Sequence, residues 1–456
     1  MKKILPMLLI TWFSLQVQAQ DVTRPDNSPP ILADYPSTLA VESAADINVS
    51  VPIPVEYLPG VTEDFWSFPV AWSFFDTISW NPRNSFGFSL GANEGYISNV
   101  YPNSIERQSS TLTALSARVF TNVGRAKSRL HLNYEAGYKA YHQEDSMSGV
   151  NHHGSMNYVY RPSSKTEFQL WDTFSHSLND PLDTNTAFLS DFNLLPNTGY
   201  EVYFIPQRTT QNSVQARFSI NLTSSTRVNI NGLYNSYWYE RSFNDVHTAQ
   251  GGIGLNQRVT DWLSLSTSYS IYLNDVSEDL RDHQVHRVEI GGLQFNLSQN
   301  IELLASGGIE IADMGTGSEY KIKEMAQVNI SRKTPTNTLY ASYQRTMSSV
   351  LGYRRILPSD IVSIGLGQRI TDKTNFQLNG AYRRSRDFND SGLLQSYSGG
   401  AQFEYALTST LFASVNYSYQ YQNNSIRTLA DIPHFDRSMA FVGLQYAWPP
   451  LQLGGK

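Results

Sequence analysis

In residues 263–274 the odd positions 263 to 273 read Leu, Leu, Thr, Tyr, Ile, Leu, while 264, 266, 268 and 270 are all Ser. Successive side chains of a β-strand point to opposite faces, so this segment is a strand with one apolar and one hydroxylated side. The pattern recurs. In 411–421, Leu411, Ala413, Val415, Tyr417, Tyr419 and Tyr421 oppose Phe412, Ser414, Asn416, Ser418 and Gln420. In 214–222, Val214, Ala216, Phe218, Ile220 and Leu222 oppose Gln215, Arg217, Ser219 and Asn221. In 130–141, Leu130, Leu132, Tyr134, Ala136, Tyr138 and Ala140 share one face, and Arg129, His131, Glu135 and Lys139 the other. Charges on the second face require water there, and the first face suits lipid. The segment 285–297 slips phase at Gly291-Gly292, as a bulge would.

Connections sort these strands into hairpins. Short ones stand at 123–126, 162–164, 223–225, 261, 299–300, 334–336, 372–373 and 408–409. Longer polar ones surround Pro102, Glu144, Asp180, Asn244, Glu278, Gly315, Pro358, Asn389 and Ile426. Short and long alternate, as when short turns face the periplasm and long loops the exterior. The expected fold is all-β: a transmembrane antiparallel up-and-down barrel of about 18 strands (alternative, about 16) over residues 85–448, with both ends on the periplasmic side.

Three further signals agree. Gly254-Leu255-Asn256-Gln257-Arg258-Val259-Thr260-Asp261 recurs as Gly365-Leu366-Gly367-Gln368-Arg369-Ile370-Thr371-Asp372, so the repeating unit is a hairpin. Aromatic residues gather at strand ends, with Trp262, Phe376, Phe412 and Trp448 beside short turns. Tyr237, Trp238, Tyr239, Tyr343, Tyr382 and Tyr419 stand beside long loops, giving two expected interfacial girdles. The end Gly443-Leu444-Gln445-Tyr446-Ala447-Trp448 resembles the closing-strand signal read by the outer-membrane assembly machinery, with Phe441 and the tail 449–456 departing from it.

The start is of another kind. Lys2 and Lys3, the apolar run 4–17 and Gln18-Ala19 form an expected signal peptide over 1–19, which implies export. A membrane anchor fits less well, since Pro6 interrupts a run shorter than the roughly 20 residues a bilayer needs. Residues 20–84 hold much of the proline and lack alternation, and read as an irregular periplasmic or plug-like segment. Its aromatic end contains Phe65, Trp66, Phe68, Trp72, Phe74 and Phe75, candidates for a plug. That end reads equally as a short helix or as a lead-in strand or loop. No cysteine is present, so thiol chemistry, disulfides and a lipidated N-terminal Cys are excluded. A net charge of −6 gives no reason to expect nucleic acid as a partner.

Hairpins of the form Gly-Leu-x-Gln-Arg-[Val/Ile]-Thr-Asp, with alternating strands and Tyr-rich ends, make residues 85–448 similar to the β-barrel porin type 2 family. They also resemble outer-membrane barrels that accompany exopolysaccharide export. The resemblance implies a passage for a hydrophilic solute or secreted polysaccharide, and it carries over no catalytic residue. A structural or partner-binding barrel of an envelope assembly is the alternative, and an outer-membrane hydrolase a third. The implied partners are outer-membrane lipid and lipopolysaccharide, the barrel assembly machinery and periplasmic export components. A TonB-gated receptor, with 22 strands and a plug domain, would need a longer chain.

Catalytic motifs are few. Gly87-Phe88-Ser89-Leu90-Gly91 matches a nucleophile elbow by letter, but lies within a strand instead of on a strand–helix turn. His142, His152 and His153 lack the partners and spacing of a metal site. No enzyme activity, cofactor or metal is expected. The informative set is the lumen: Arg129, Glu135, Lys139, Arg217, Arg227, Glu302, Glu310, Lys321, Lys323 and Arg383 are inward candidates. Arg345, Arg354, Arg355, Arg369, Arg384 and Arg386 form a basic cluster late in the chain. These charges either guide an anionic solute or brace the barrel by salt bridges across a polar lumen, and the residues favour bracing.

Overall fold

The computed structural model describes residues 85–448, apart from 101–107, 126, 145–146, 179–207, 240–245, 277–282, 299, 314–319, 335, 351–354, 387, 389–391 and 427–433. It also describes 451 and 452. The expected signal peptide, the 20–84 segment with all six plug candidates, and Arg354 lie outside the described residues.

Eighteen long strands follow one another, β1 (Ser85–Ile97) through β18 (Phe435–Ala447), each pairing antiparallel with the next. They are β2 (Ser110–Arg125), β3 (Ser128–Tyr141), β4 (Gly149–Tyr160), β5 (Thr166–Leu178), β6 (Arg208–Asn221), β7 (Thr226–Tyr239), β8 (Val246–Arg258) and β9 (Leu263–Val276). Then come β10 (His283–Ser298), β11 (Ile301–Asp313), β12 (Tyr320–Lys333), β13 (Asn337–Val350), β14 (Arg355–Thr371), β15 (Thr374–Arg386), β16 (Leu393–Ala406) and β17 (Leu411–Asn424). The sheet closes because β1 pairs with β18, from Ser89 opposite Ala447 to Ile97 opposite Met439. Closure removes both sheet edges and satisfies the backbone within the wall. Part of the expected tail extends this seam: β19 (Leu451–Gln452) pairs with Ser85 and Phe86.

Directly opposite residues share a face, so one strand's alternation fixes the orientation of every neighbour. On β9, Leu265 and Tyr269 are more than 40% exposed, whereas Ser270 on the other face is 5% exposed. Leu115, Ile253, Ile364, Val415 and Leu444 continue the exposed apolar face around the wall. The polar face turns inward. The bulge expected near Gly291 is present: between Glu289 and Gly292 the register of β10 shifts against both neighbours.

The eight short connections fall where expected, and the repeated motif has a structural purpose. Gln257 Oε1 accepts from Thr226 Oγ1 at 2.6 Å, and Gln368 Oε1 from Asn337 Nδ2 at 2.7 Å. Each Gln amide donates to the carbonyl of its following Arg, at 3.2 and 3.1 Å. A threonine then caps the turn: Thr223, Thr260, Thr334 and Thr408 each accept, at 3.0 Å, the N–H three residues on. This is the Ser/Thr turn chemistry that makes a tight connection from a polar side chain.

Pro358 corrects an expectation, since it lies inside β14 and not in a long loop. It stands opposite Met347 of β13, and the β14–β15 ladder begins only at Ser359–Ser385. Proline lacks an N–H, and here none is required on the β15 side. The girdles are also revised. Trp262, Trp448, Trp238 and Tyr419 are exposed on the outer face, but Phe412 is buried on the inner face with Ala406 and Ala447. Tyr237 also faces inward, its hydroxyl accepting from Gln211 at 3.2 Å.

Candidate functional site: the inner wall of the barrel

The inner face is mostly polar, apart from buried apolar side chains such as Ile97, Leu112, Met439 and Phe441, and its composition differs by sector. On β2 to β12 it carries charge. Arg118 donates to Asn133 Oδ1 at 2.5 Å and lies over the Phe120 ring. Arg217 stacks on Trp171 at 5.4 Å, and Arg227 donates to Asn221 at 2.8 Å. Glu302 accepts from Gln294 at 2.7 Å, and Glu289 from Ser266 at 3.1 Å. On β15 to β17 the inner face is mostly Asn, Gln, Ser and Gly, with Arg383 and Glu404 among them, whereas β18 presents Arg437, Met439, Phe441, Gly443, Gln445 and Ala447.

The most buried ionic group joins three strands. Arg287 Nε donates to Glu310 Oε1 at 2.6 Å, and Thr346 Oγ1 donates to the same oxygen at 2.7 Å. Glu310 is fully buried and Arg287 nearly so. A pair this deep is held by its hydrogen bonds as much as by its charges, because desolvating two ions offsets much of their attraction. It braces the wall across β10, β11 and β13.

The inward candidates divide by depth. Glu135, Lys139, Arg217, Glu310 and Arg383 are buried on the inner face. Arg227, Glu302 and Lys321 share that face and are half-buried. Arg129 and Lys323 share it near the strand ends and are exposed, with Lys323 above the Phe388 ring at 5.7 Å. The late basic cluster does not converge. Arg369 shares the inner face, opposite Asn375. Arg345 is on the outer face, paired with Glu324 at 3.2 Å and Asp360 at 3.3 Å. Arg384 and Arg386 share that outer face. Arg355 opens β14, and its side chain lies outside the described residues.

Inward charges that sequence reasoning missed include Arg118, Glu167, Arg287, Glu289, Glu404 and Arg437. Alternation alone marks Arg118 and Arg437. The bulge hides Arg287 and Glu289, because it reverses the phase of β10 partway along.

Ser89 is buried in mid-strand, opposite Arg118 and Ala447, with no strand–helix turn beside it. His152 faces outward and bonds the Tyr134 hydroxyl at 2.7 Å, His142 bonds Thr113 on the same outer face, and His153 faces inward. Among the described residues no three His, Cys, Asp or Glu converge as metal ligands.

No protein-family model and no curated protein matches the sequence. Solved structures resemble the fold. Pseudomonas aeruginosa OpdQ aligns at 9% identity and TM-score 0.41, covering 81% of this chain and 98% of that one. Acinetobacter baumannii OccAB4 aligns at 12% and 0.42, covering 80% and 98%. Pseudomonas aeruginosa OccK2 (OpdF) in complex with glucuronate aligns at 10% and 0.41, covering 79% and 98%.

Proposed function

We propose that this chain spans the bacterial outer membrane and forms a channel for a hydrophilic solute or a secreted polysaccharide. The observation that carries this reading is a closed wall of eighteen long strands whose exposed face is apolar and whose inner face is mostly polar. An apolar band outside matches hydrocarbon, and a closed barrel is one of two folds that satisfy every backbone group there. Barrels of about 16–18 strands are wide enough to leave an aqueous lumen.

The inner-wall residues would act by binding and positioning, with no covalent step. Arg217 and Arg383 offer charge, and the amides of β15 to β18 offer donors and acceptors to a solute that exchanges its water for theirs. Lipopolysaccharide would contact the aromatic outer face, and the assembly machinery would read the strand ending at Trp448. Residues 20–84 would regulate whether the lumen conducts. Reconstitution into planar bilayers tests the proposal, and an absence of conductance both for the mature chain and for a variant lacking residues 20–84 would overturn it.

A further inference from the structure

We infer that the inner wall of β15 to β17 carries a binding site for a neutral polyhydroxylated ligand, a carbohydrate chain; this rests on the channel reading and names the ligand class for it. Six uncharged side chains define the patch: Gln377, Asn379, Ser398, Gln402, Ser418 and Gln420. They lie in adjoining rows of one ladder. Gln377 is opposite Gln402, Asn379 opposite Gly400 and then Ser418, and Ser398 opposite Gln420. Successive inward positions on a strand are about 6.5–7 Å apart and opposite ones about 5 Å, so the six span the size of a few sugar rings.

Each of the six has a buried polar atom without a hydrogen-bond partner in the protein: Gln377 Oε1, both amide atoms of Asn379, Ser398 Oγ, Gln402 Oε1, Ser418 Oγ and Gln420 Oε1. The four amides are 2–8% exposed. Unpaired polar atoms also occur elsewhere along the inner wall, but here six residues on three adjoining strands gather theirs in one place, where a ligand's hydroxyls could pair them. At its centre Gly400 presents backbone where a side chain would stand. A Cβ there would meet Asn379 Oδ1 at 3.1 Å and the Tyr417 carbonyl at 3.4 Å.

The chemistry selects the ligand. A carboxamide offers a donor and an acceptor whichever way it is turned, and a serine hydroxyl does the same. An anion only accepts and would leave the carbonyl oxygens unpaired. A sugar hydroxyl both donates and accepts, and adjacent hydroxyls can engage neighbouring amides. Charges flank the patch directly, since Gln402 Nε2 donates to Glu404 Oε1 at 2.6 Å and Arg437 lies opposite Gln420, but the six groups that offer unpaired atoms are themselves uncharged.

Two measurements on the folded full chain test this separately from conduction: calorimetric titration with maltohexaose, cellohexaose and a mannan hexamer, and block of bilayer current by the same sugars. At least one sugar binds wild type, and the near-isosteric Gln402→Leu/Gln420→Leu variant binds it at least tenfold more weakly. Ser418→Ala, a smaller change, weakens it about threefold and serves if the double variant does not fold by gel heat-modifiability. Ser268→Ala, on β9, leaves binding unchanged. Conductance without sugar binding would overturn the site and leave the channel standing. Sugar binding without conductance would do the reverse, and neither would overturn both. Preference for hexagalacturonate over every neutral sugar, or equal binding by wild type and both patch variants, would also overturn the site.

Discussion

The Glu310 carboxylate accepts the backbone N–H of Met347 at 2.5 Å, reaching from β11 across β12 to β13. The β12–β13 ladder stops at Ala326–Arg345, while β13 continues to pair with β14 as far as Ser349. A side chain therefore completes the hydrogen bonding that the neighbouring strand leaves unfinished. Glu310→Ala removes that acceptor and takes the carboxylate from Arg287, which keeps its bond to Thr346, and should destabilise the barrel by about 3–5 kcal/mol, the cost of breaking a buried pair. Glu310→Gln, which keeps an acceptor, should cost less. Urea unfolding followed by gel mobility measures both, and equal stability of Glu310→Ala and wild type would show that the contact does not brace the seam.

Phe120 lies across Gly87, the residue directly opposite it, and a Cβ at Gly87 would fall within the ring. Gly87→Ala should cost about 1–3 kcal/mol, as overpacking does. In a Phe120→Leu background the cost should largely disappear. A double-mutant cycle reads this, and additive effects would mean that the ring does not need the glycine.

The Gln257 and Gln368 clasps are equivalent in separate hairpins. Each Gln→Ala change should cost about 0.5–1.5 kcal/mol, a typical hydrogen-bond contribution. The two should add within about 0.5 kcal/mol because the sites share no partner. A strongly non-additive result in the same unfolding assay would contradict independent hairpins.

Nearby positions on β9 test which face meets lipid. Tyr269→Arg puts a charge on the outer face near the middle of β9 and should cost about 2–4 kcal/mol, the penalty near the bilayer centre. Ser268→Arg puts it on the inner face and should be tolerated. Unfolding from phospholipid vesicles compares them, and equal penalties would contradict the assigned orientation.

The fold is legible in the sequence because period-2 alternation and alternating connection lengths are both local properties of a chain. The strand 263–274 announces its two faces in its own letters, and the turns announce themselves by Thr, Asn and Asp. Pro358 reads as a loop because proline usually marks one, and only the ladder's late start at Ser359–Ser385 makes it tolerable in a strand. Arg345 groups by charge with the lumen, yet its chain neighbour Gln344 is buried on the inner face, and alternation then sets Arg345 on the opposite side. The amide patch is invisible in the sequence for a different reason: uncharged side chains form no motif, and only cross-strand register brings β15, β16 and β17 together.

The central claim is that the polar inner wall bounds a conducting path. Single-channel recording tests it most directly, with the mature chain and a variant lacking residues 20–84 reconstituted side by side. Stepwise conductance in at least the shortened variant, changed in charge selectivity by Arg217→Ala and Arg383→Ala, is the predicted result. Electrically silent bilayers for both proteins, despite folded barrels by gel mobility, would contradict it.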